Sequence, residues 1–275
     1  MKKWYAVIGD PIAHSMSPFM HDTWFREHGI DAAYIPLHVE PAKLDRSVDA
    51  MKLLGISGLN VTLPHKQKVI PFLDGLDETA SIMNAVNTIV REGSSFIGHN
   101  TDGEGFVRSL TDREPDLAAK TLIIGAGGAA RGIAFAMKRA GFVDITICNR
   151  TFQKAHELAE ETGSVAKELS EAEEMLAKFE IIIQTTSVGL SKDDSLPISL
   201  NQLSPDSFVA DIIYNPLTTP FLLQAEEKGC TIMNGVGMFV YQGAIAFEKW
   251  TGVTPNTERM IALITDKLGG NYVNR

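Results

Sequence analysis

The run Ile123-Ile124-Gly125-Ala126-Gly127-Gly128-Ala129-Ala130 constrains the fold of this chain more than any other stretch. An apolar strand that enters a glycine turn and leaves it as a helix belongs to a parallel βα unit. In Gly125-x-Gly127-x-x-Ala130 the first glycine permits the tight turn, and the second lets a pyrophosphate approach the backbone. The small Ala130 lets helix and strand pack closely. The unpaired N–H groups of the helix start, around Gly128 and Ala129, then face the phosphates. A glycine-rich turn alone is weak evidence. Its weight comes from the strand before it, the helix after it and the second strand at 145–148.

That rhythm predicts a dinucleotide-binding half. Strands are expected at 122–124, 145–148, 181–184, 208–212 and 231–233, and helices at 129–140, 153–161 and 221–228. Gly235-Val236-Gly237 breaks the pattern before a long helix at 238–250, and a last helix is expected at 257–268. An NAD site usually ends its second strand in Asp or Glu, which bonds the ribose hydroxyls. Here the strand ends in Asn149-Arg150-Thr151, with Lys154 one turn on. A 2′-phosphate is repelled by a carboxylate and bound well by a guanidinium. Cations at a helix start also run against the helix dipole, which a solvated Arg and Lys do not explain. NADP(H) is therefore the expected cofactor, and Thr151 the expected helix cap.

The first hundred residues have the same alternation. Strands are expected at 4–8, 34–39 and 56–61, separated by helices at 18–28 and 43–54; a hairpin at 86–90 and 95–99 turns at Glu92-Gly93. Thr101-Asp102-Gly103-Glu104 has the form of a capping box, opening a helix to about Leu110, and 111–120 reads as an interdomain connection. The expected fold is α/β in two domains: an N-terminal, mainly parallel α/β substrate domain and a Rossmann-type NADP-binding domain.

Composition narrows the function. Across 275 residues the formal net charge is −9, which argues against nucleic acid as a partner. An anionic substrate must then meet positive charge gathered locally. Cys148 and Cys230 lack metal-ligand spacing and read as buried, reduced thiols, so no metal is expected. Met1-Lys2-Lys3 precedes an apolar run far too short for a signal peptide, and no segment approaches the ~20 apolar residues of a membrane helix. A cytoplasmic protein without membrane partners is expected.

A second polar corner lies in the first half. Gly58-Leu59-Asn60-Val61-Thr62-Leu63-Pro64-His65-Lys66 ends an apolar strand on an amide, a hydroxyl and an amine, with Lys66 expected at a helix start. Ser15-Met16-Ser17-Pro18 opens a helix, with Ser17 the natural N-cap and Pro18 the first helical residue. A helix start with two hydroxyls also suits a carboxylate. Read singly, Lys66 is a surface lysine and Asp102 an acidic first-turn residue; together they make an amine–carboxylate pair if the strand ends lie side by side.

These motifs, with Asn84-Ala85-Val86-Asn87-Thr88, Asn100-Thr101-Asp102-Gly103, Tyr214-Asn215-Pro216, Gly235-x-Gly237-Met238 and Gln242, resemble those of shikimate dehydrogenases, in order and over essentially the whole chain. The resemblance implies reversible NADPH-dependent reduction of 3-dehydroshikimate to shikimate by a monomer or homodimer. It implies that Ser15 and Ser17, helped by Tyr214, hold the substrate carboxylate. Thr62, Asn87, Asp102 and Gln242 hold ring hydroxyls, and Lys66 and Asp102 act on the reacting alcohol. The implied cofactor contacts are Gly125, Ala126, Gly127, Gly128, Ala129, Asn149, Arg150, Thr151, Lys154, Ile212 and Gly235. The implied domains are 1–102, completed by 239–275, and 103–238. The alternatives are a quinate/shikimate dehydrogenase of broader range, a folate-type dehydrogenase and a catalytically silent nucleotide sensor. The last would be expected to lose Lys66 or Asp102, and a folate enzyme has no use for the Ser15/Ser17 pair.

Overall fold

The computed structural model describes residues 2–190 and 195–269. Residues 191–194 and 270–275, parts of the two implied domains, lie outside the described residues. The described residues form two compact units: one runs through Thr101 and includes Gln242–Met260, the other holds Asp102–Tyr241 and 261–269. Within the described part of the 239–275 segment that the resemblance assigns to the first domain, Gln242–Met260 groups with the first unit and 261–269 with the second.

The first unit contains β1 (Lys3–Gly9), α1 (Ser17–Glu27), β2 (Ala32–His38), α2 (Leu44–Leu53), β3 (Gly58–Val61), β4 (Gly75–Leu76), α3 (Glu78–Met83), β5 (Thr88–Glu92) and β6 (Ser95–His99). Its sheet has the order β2-β1-β3-β5-β6-β4. β1 runs parallel to β2 and β3, and β4 parallel to β6; β5 is antiparallel to both β3 and β6. β5 turns back into β6 through a two-residue turn, Gly93-Ser94, where Gly93 takes the positive φ of 62° that such hairpins require.

One face of this sheet packs Ala6, Ile8, Leu59, Val61 and Ile89 against Leu44, Val48 and Met51 of α2. Tyr5 on the other face stacks on Phe25 of α1 and lies against Trp250. Each fully buried side chain of this size contributes roughly 1.5–3 kcal/mol, so the strands ending at the polar corner have a firm base.

The second unit begins with α4 (Asp102–Thr111) and continues through β7 (Thr121–Ile124), α5 (Gly128–Arg139), β8 (Ile145–Cys148), α6 (Phe152–Thr162), β9 (Val165–Lys167), α7 (Leu169–Glu174), β10 (Ile181–Gln184), β11 (Phe208–Asp211), α8 (Pro220–Glu227) and β12 (Thr231–Met233). Two helices follow, α9 (Val236–Thr251) and α10 (Thr257–Lys267). The sheet order is β12-β11-β10-β7-β8-β9 with every pair parallel. The chain leaves β7 to one side for β8 and β9, then returns to the other for β10 to β12. This is the doubly wound dinucleotide-binding order, with its switch point between β7 and β10. Both faces of the sheet are covered, which is why 122–124, 145–148 and 181–184 read as unbroken apolar runs.

Three local expectations are corrected. Lys66 does not start a helix. Its carbonyl accepts the Val86 N–H at 2.7 Å, Ile70 N–H turns instead to Gln67 O at 3.3 Å, and the chain enters only a short 3-10 turn at Ile70–Phe72. Helix α1 starts at Ser17 rather than after it, and the Ser17 N–H is satisfied by Ser15 Oγ at 3.3 Å. The Thr101–Glu104 capping box does not form: Thr101 N–H donates to Asn87 Oδ1, and Glu104 pairs with Arg108. The short elements β4, α3, β9 and α7 carry too few residues for a periodicity to be read from sequence.

Candidate active site

The nucleotide corner is built mainly from backbone. Gly125 sits at φ +117°, its N–H donates to Cys148 O at 2.8 Å, and a Cβ there would lie 2.4 Å from Thr185 Oγ1. Only glycine fits. Gly127 differs, since its φ of −88° and ψ of −172° are open to any residue. A Cβ at Gly127 or Gly128 meets nothing within 4 Å, so these glycines leave room in front of the α5 N-terminus. That room is part of a cavity of about 330 Å³ lined by Gly125, Ala126, Gly127, Asn149, Arg150, Thr151, Lys154, Thr185, Thr186 and Ser187.

Asn149 Nδ2 donates to Thr151 O at 2.9 Å and shapes the turn into α6. Thr151 occupies the N-cap position, but its hydroxyl makes no capping bond, contrary to the expected cap. Arg150 and Lys154 are exposed cations, and no carboxylate lines the cavity. Open space at a helix start, a glycine turn and two cations fit a dinucleotide with a 2′-phosphate.

Thr185, Thr186 and Ser187 were missed in the sequence. The signal available was their place after the strand at 181–184, which the parallel order sets beside β7. Thr185 Oγ1 donates to Ile124 O at 2.7 Å and ties the two strand ends together. Cys148 stays buried and free, and burial pushes its thiol up to about 12. Ile212 and Gly235 meet each other on the β11 side: a Cβ at Gly235 would lie 2.0 Å from Ile212 O, and Gly235 N–H donates to Ile213 O at 2.9 Å. Neither lines the cavity around Gly127. Tyr214, two residues on, stacks on Phe239 with ring centroids 4.8 Å apart, and burial raises its phenol above the ordinary value.

The polar corner of the first unit is built from buried side chains. Asn60, 6% exposed, is its hub: Oδ1 accepts the Tyr34 hydroxyl at 2.6 Å, and Nδ2 donates to Asn87 O and Thr88 Oγ1, each at 3.1 Å. Asn87 in turn holds Thr101, accepting its N–H at 2.9 Å and donating to its hydroxyl oxygen at 2.9 Å. Thr101 Oγ1 donates to Gln242 O at 3.0 Å, and Asn87 Nδ2 reaches Gln242 Oε1 at 3.5 Å. The structure thus brings Asn87 and Gln242 together, although 155 positions separate them.

Thr62 follows β3, with its N–H on Ile8 O at 3.0 Å. His65 is fully buried and its Nε2 lies 2.6 Å from Val39 O, so the turn that presents Lys66 is held at the residue before it. Ser15 and Ser17 stand at the α1 start, where Ser15 Oγ accepts a helix N–H and Ser17 is buried. Asp102 opens α4 in the second unit, directly after Thr101. Asn60 was read as the amide of the polar corner, whereas its partner Tyr34, absent from the expected site, is legible only once β1, β2 and β3 are known to be neighbours.

Three family models match the chain: a shikimate dehydrogenase substrate-binding domain at residues 7–89, shikimate/quinate 5-dehydrogenase at 110–193, and a shikimate 5′-dehydrogenase C-terminal domain at 235–265. The chain is 56% identical over 277 residues to the NADP(+) shikimate dehydrogenase of Lysinibacillus sphaericus, covering 98% of this chain and 100% of that one. This chain belongs to the shikimate dehydrogenase family. The NADP(+) enzyme of Bacillus subtilis is 45% identical, covering 98% of this chain and 99% of that one. The Thermus thermophilus shikimate 5-dehydrogenase, solved with NADP(H) and shikimate, superposes with a TM-score of 0.87 at 34% identity, covering 94% of this chain and 97% of that one.

The two corners differ in chemistry. The second unit's corner has backbone N–H groups and the cations Arg150 and Lys154, and the first unit's has amides, hydroxyls and the Lys66 amine. Among the described residues no group of three or more His, Cys, Asp or Glu side chains could hold a metal ion. No described helix is long and apolar enough to cross a membrane.

Proposed function

We infer that this chain is an NADP-dependent shikimate dehydrogenase, reducing 3-dehydroshikimate reversibly to shikimate on the route to chorismate and the aromatic amino acids. The observation that carries this is the end-to-end identity with NADP(+) shikimate dehydrogenases, with both units matched. Bound NADP(H) would supply or accept the hydride. Gly125, Ala126, Gly127, Gly128 and Ala129 would hold its pyrophosphate, and Asn149, Arg150, Thr151 and Lys154 its 2′-phosphorylated ribose. Ile212 and Gly235 complete the contacts.

As the carbonyl oxygen gains charge, the Lys66 ammonium stabilises it and delivers the proton; in oxidation the neutral amine removes that proton. Asp102 orients Lys66 and the adjacent hydroxyl. Ser15 and Ser17, with the Tyr214 hydroxyl, hold the carboxylate at the α1 start, and Thr62, Asn87 and Gln242 hold ring hydroxyls. Supporting this reading, the Lys66 backbone is pinned by Val86, and Asn87 and Gln242 converge in one network.

The test is the rise in NADPH absorbance with shikimate or quinate, each offered with NADP+ and NAD+. Shikimate with NADP+ is expected to give the highest kcat/KM. Quinate or NAD+ matching it would establish the broader quinate/shikimate reading, and no turnover with any pair would remove the assignment.

A further inference from the structure

Asp211 ends β11 with a fully buried carboxylate that the chemistry above does not use. Oδ1 accepts the Ile213 N–H at 2.9 Å, and Oδ2 accepts the Thr219 hydroxyl at 2.7 Å. Thr219 caps α8 through Leu222 N–H at 3.3 Å, so both ends of the loop from Ile212 to Pro220 fasten to one side chain. Across the sheet Asp211 pairs in register with Gln184, also fully buried. Gln184 accepts the Thr186 N–H and donates to Val188 O at 2.9 Å, shaping the loop that carries Thr185, Thr186 and Ser187 into the cofactor cavity.

We propose that Asp211 is a positioning residue for hydride transfer: with Gln184 and Thr219 it sets the β11–α8 loop that presents Ile212 and Tyr214 to the reactants. The inference rests on the cofactor and substrate roles given above to those two residues. The loop has a second clamp, the close approach of Gly235 to Ile212 O, so a small change at Asp211 shifts the loop against a fixed wall. Burial raises the Asp211 carboxyl to about 6, opposed by its bonds to Ile213, Thr219 and Gln184. A buried carboxylate held at that cost is replaceable by an amide of the same shape, which retains an acceptor for Ile213 N–H and can donate to Thr219 Oγ1.

The experiment compares Asp211→Ala and Asp211→Asn with the unaltered chain in thermal unfolding, NADPH titration and steady-state reduction with NADPH or NADPH deuterated at C4. Asp211→Ala is expected to lower kcat at least tenfold and to raise the primary isotope effect on kcat, because a misplaced loop makes hydride transfer more rate-limiting. Asp211→Asn is expected to stay within threefold with an unchanged isotope effect. A folded Asp211→Ala chain with ordinary kcat and isotope effect overturns the proposal, and so does an Asp211→Asn chain as impaired as the alanine variant. If Asp211→Ala does not fold, Thr219→Val makes the same test, with the same two signs expected and their absence overturning it. Failure of the unaltered chain to reduce 3-dehydroshikimate strikes the functional reading instead. The NADPH titration then still tests the loop, with weaker binding by the alanine variant alone supporting it and equal binding by all three chains overturning it.

Discussion

The two polar corners are built from different materials. The second unit's corner consists of backbone and space: a glycine forced by φ +117°, two more with nothing in front of them, and exposed cations at a helix start. The first unit's corner is a buried lattice in which Asn60, Asn87, Thr101 and Gln242 satisfy one another across four stretches of chain. A site made of space can be blocked without being unfolded. A site made of mutually bonded side chains cannot lose one member without leaving the others unsatisfied in a buried setting.

That contrast orders the expected effects of substitution. Lys66→Met should lower kcat by roughly 10²- to 10⁴-fold, the usual worth of a positioned proton carrier, while NADPH titrates normally. Near-ordinary turnover would break the division between the corners. Arg150→Ala should weaken NADP(H) by about 1.5–3 kcal/mol and leave NAD(H) almost untouched; equal losses in titrations of both cofactors would show that the guanidinium does not read the 2′-phosphate. Asn60→Ala should reduce stability by about 1–3 kcal/mol in chemical denaturation, since the Tyr34 hydroxyl and Asn87 carbonyl lose a buried partner. Gly127→Ala should change stability by no more than ~0.5 kcal/mol, because its backbone is ordinary and its Cβ enters open space. It should nonetheless weaken NADPH measurably. A Gly127→Ala chain that binds as before would mean the space has another use.

The same difference explains what the sequence made legible. The nucleotide corner is local: Gly125 to Ala130 and Asn149 to Lys154 are each contiguous, so strand, turn and helix context were enough to read them. Thr185 to Ser187 escaped because their relevance depends on β10 lying beside β7, a long-range fact. In the first unit, individual residues matched family motifs, but their bonds did not follow from spacing. Thr101 looked like a helix cap, and instead bonds Asn87 and the Gln242 carbonyl. The Lys66 carbonyl went to Val86 rather than into a helix. Tertiary partners outcompeted local ones wherever a β-strand neighbour offered a better bond.

His21 gives the first unit a distinctive acid response. It is fully buried and stacks on Tyr34 at 4.5 Å. Burial drives its pKa down from 6.5 to about 3, opposed only by the nearby Asn60 amide. Below pH ~6.5 the unfolded chain therefore takes up a proton that the folded one refuses. Stability drains on the order of 5 kcal/mol as pH falls towards 3. Asp211 runs the opposite way: its carboxyl, raised from 3.8 to about 6, binds its proton more readily when folded, so mild acid favours the second unit. Acidification thus drains the first unit's sheet while bracing the second unit's, a built-in asymmetry that amide exchange at two pH values would register as a selective loosening of residues around His21.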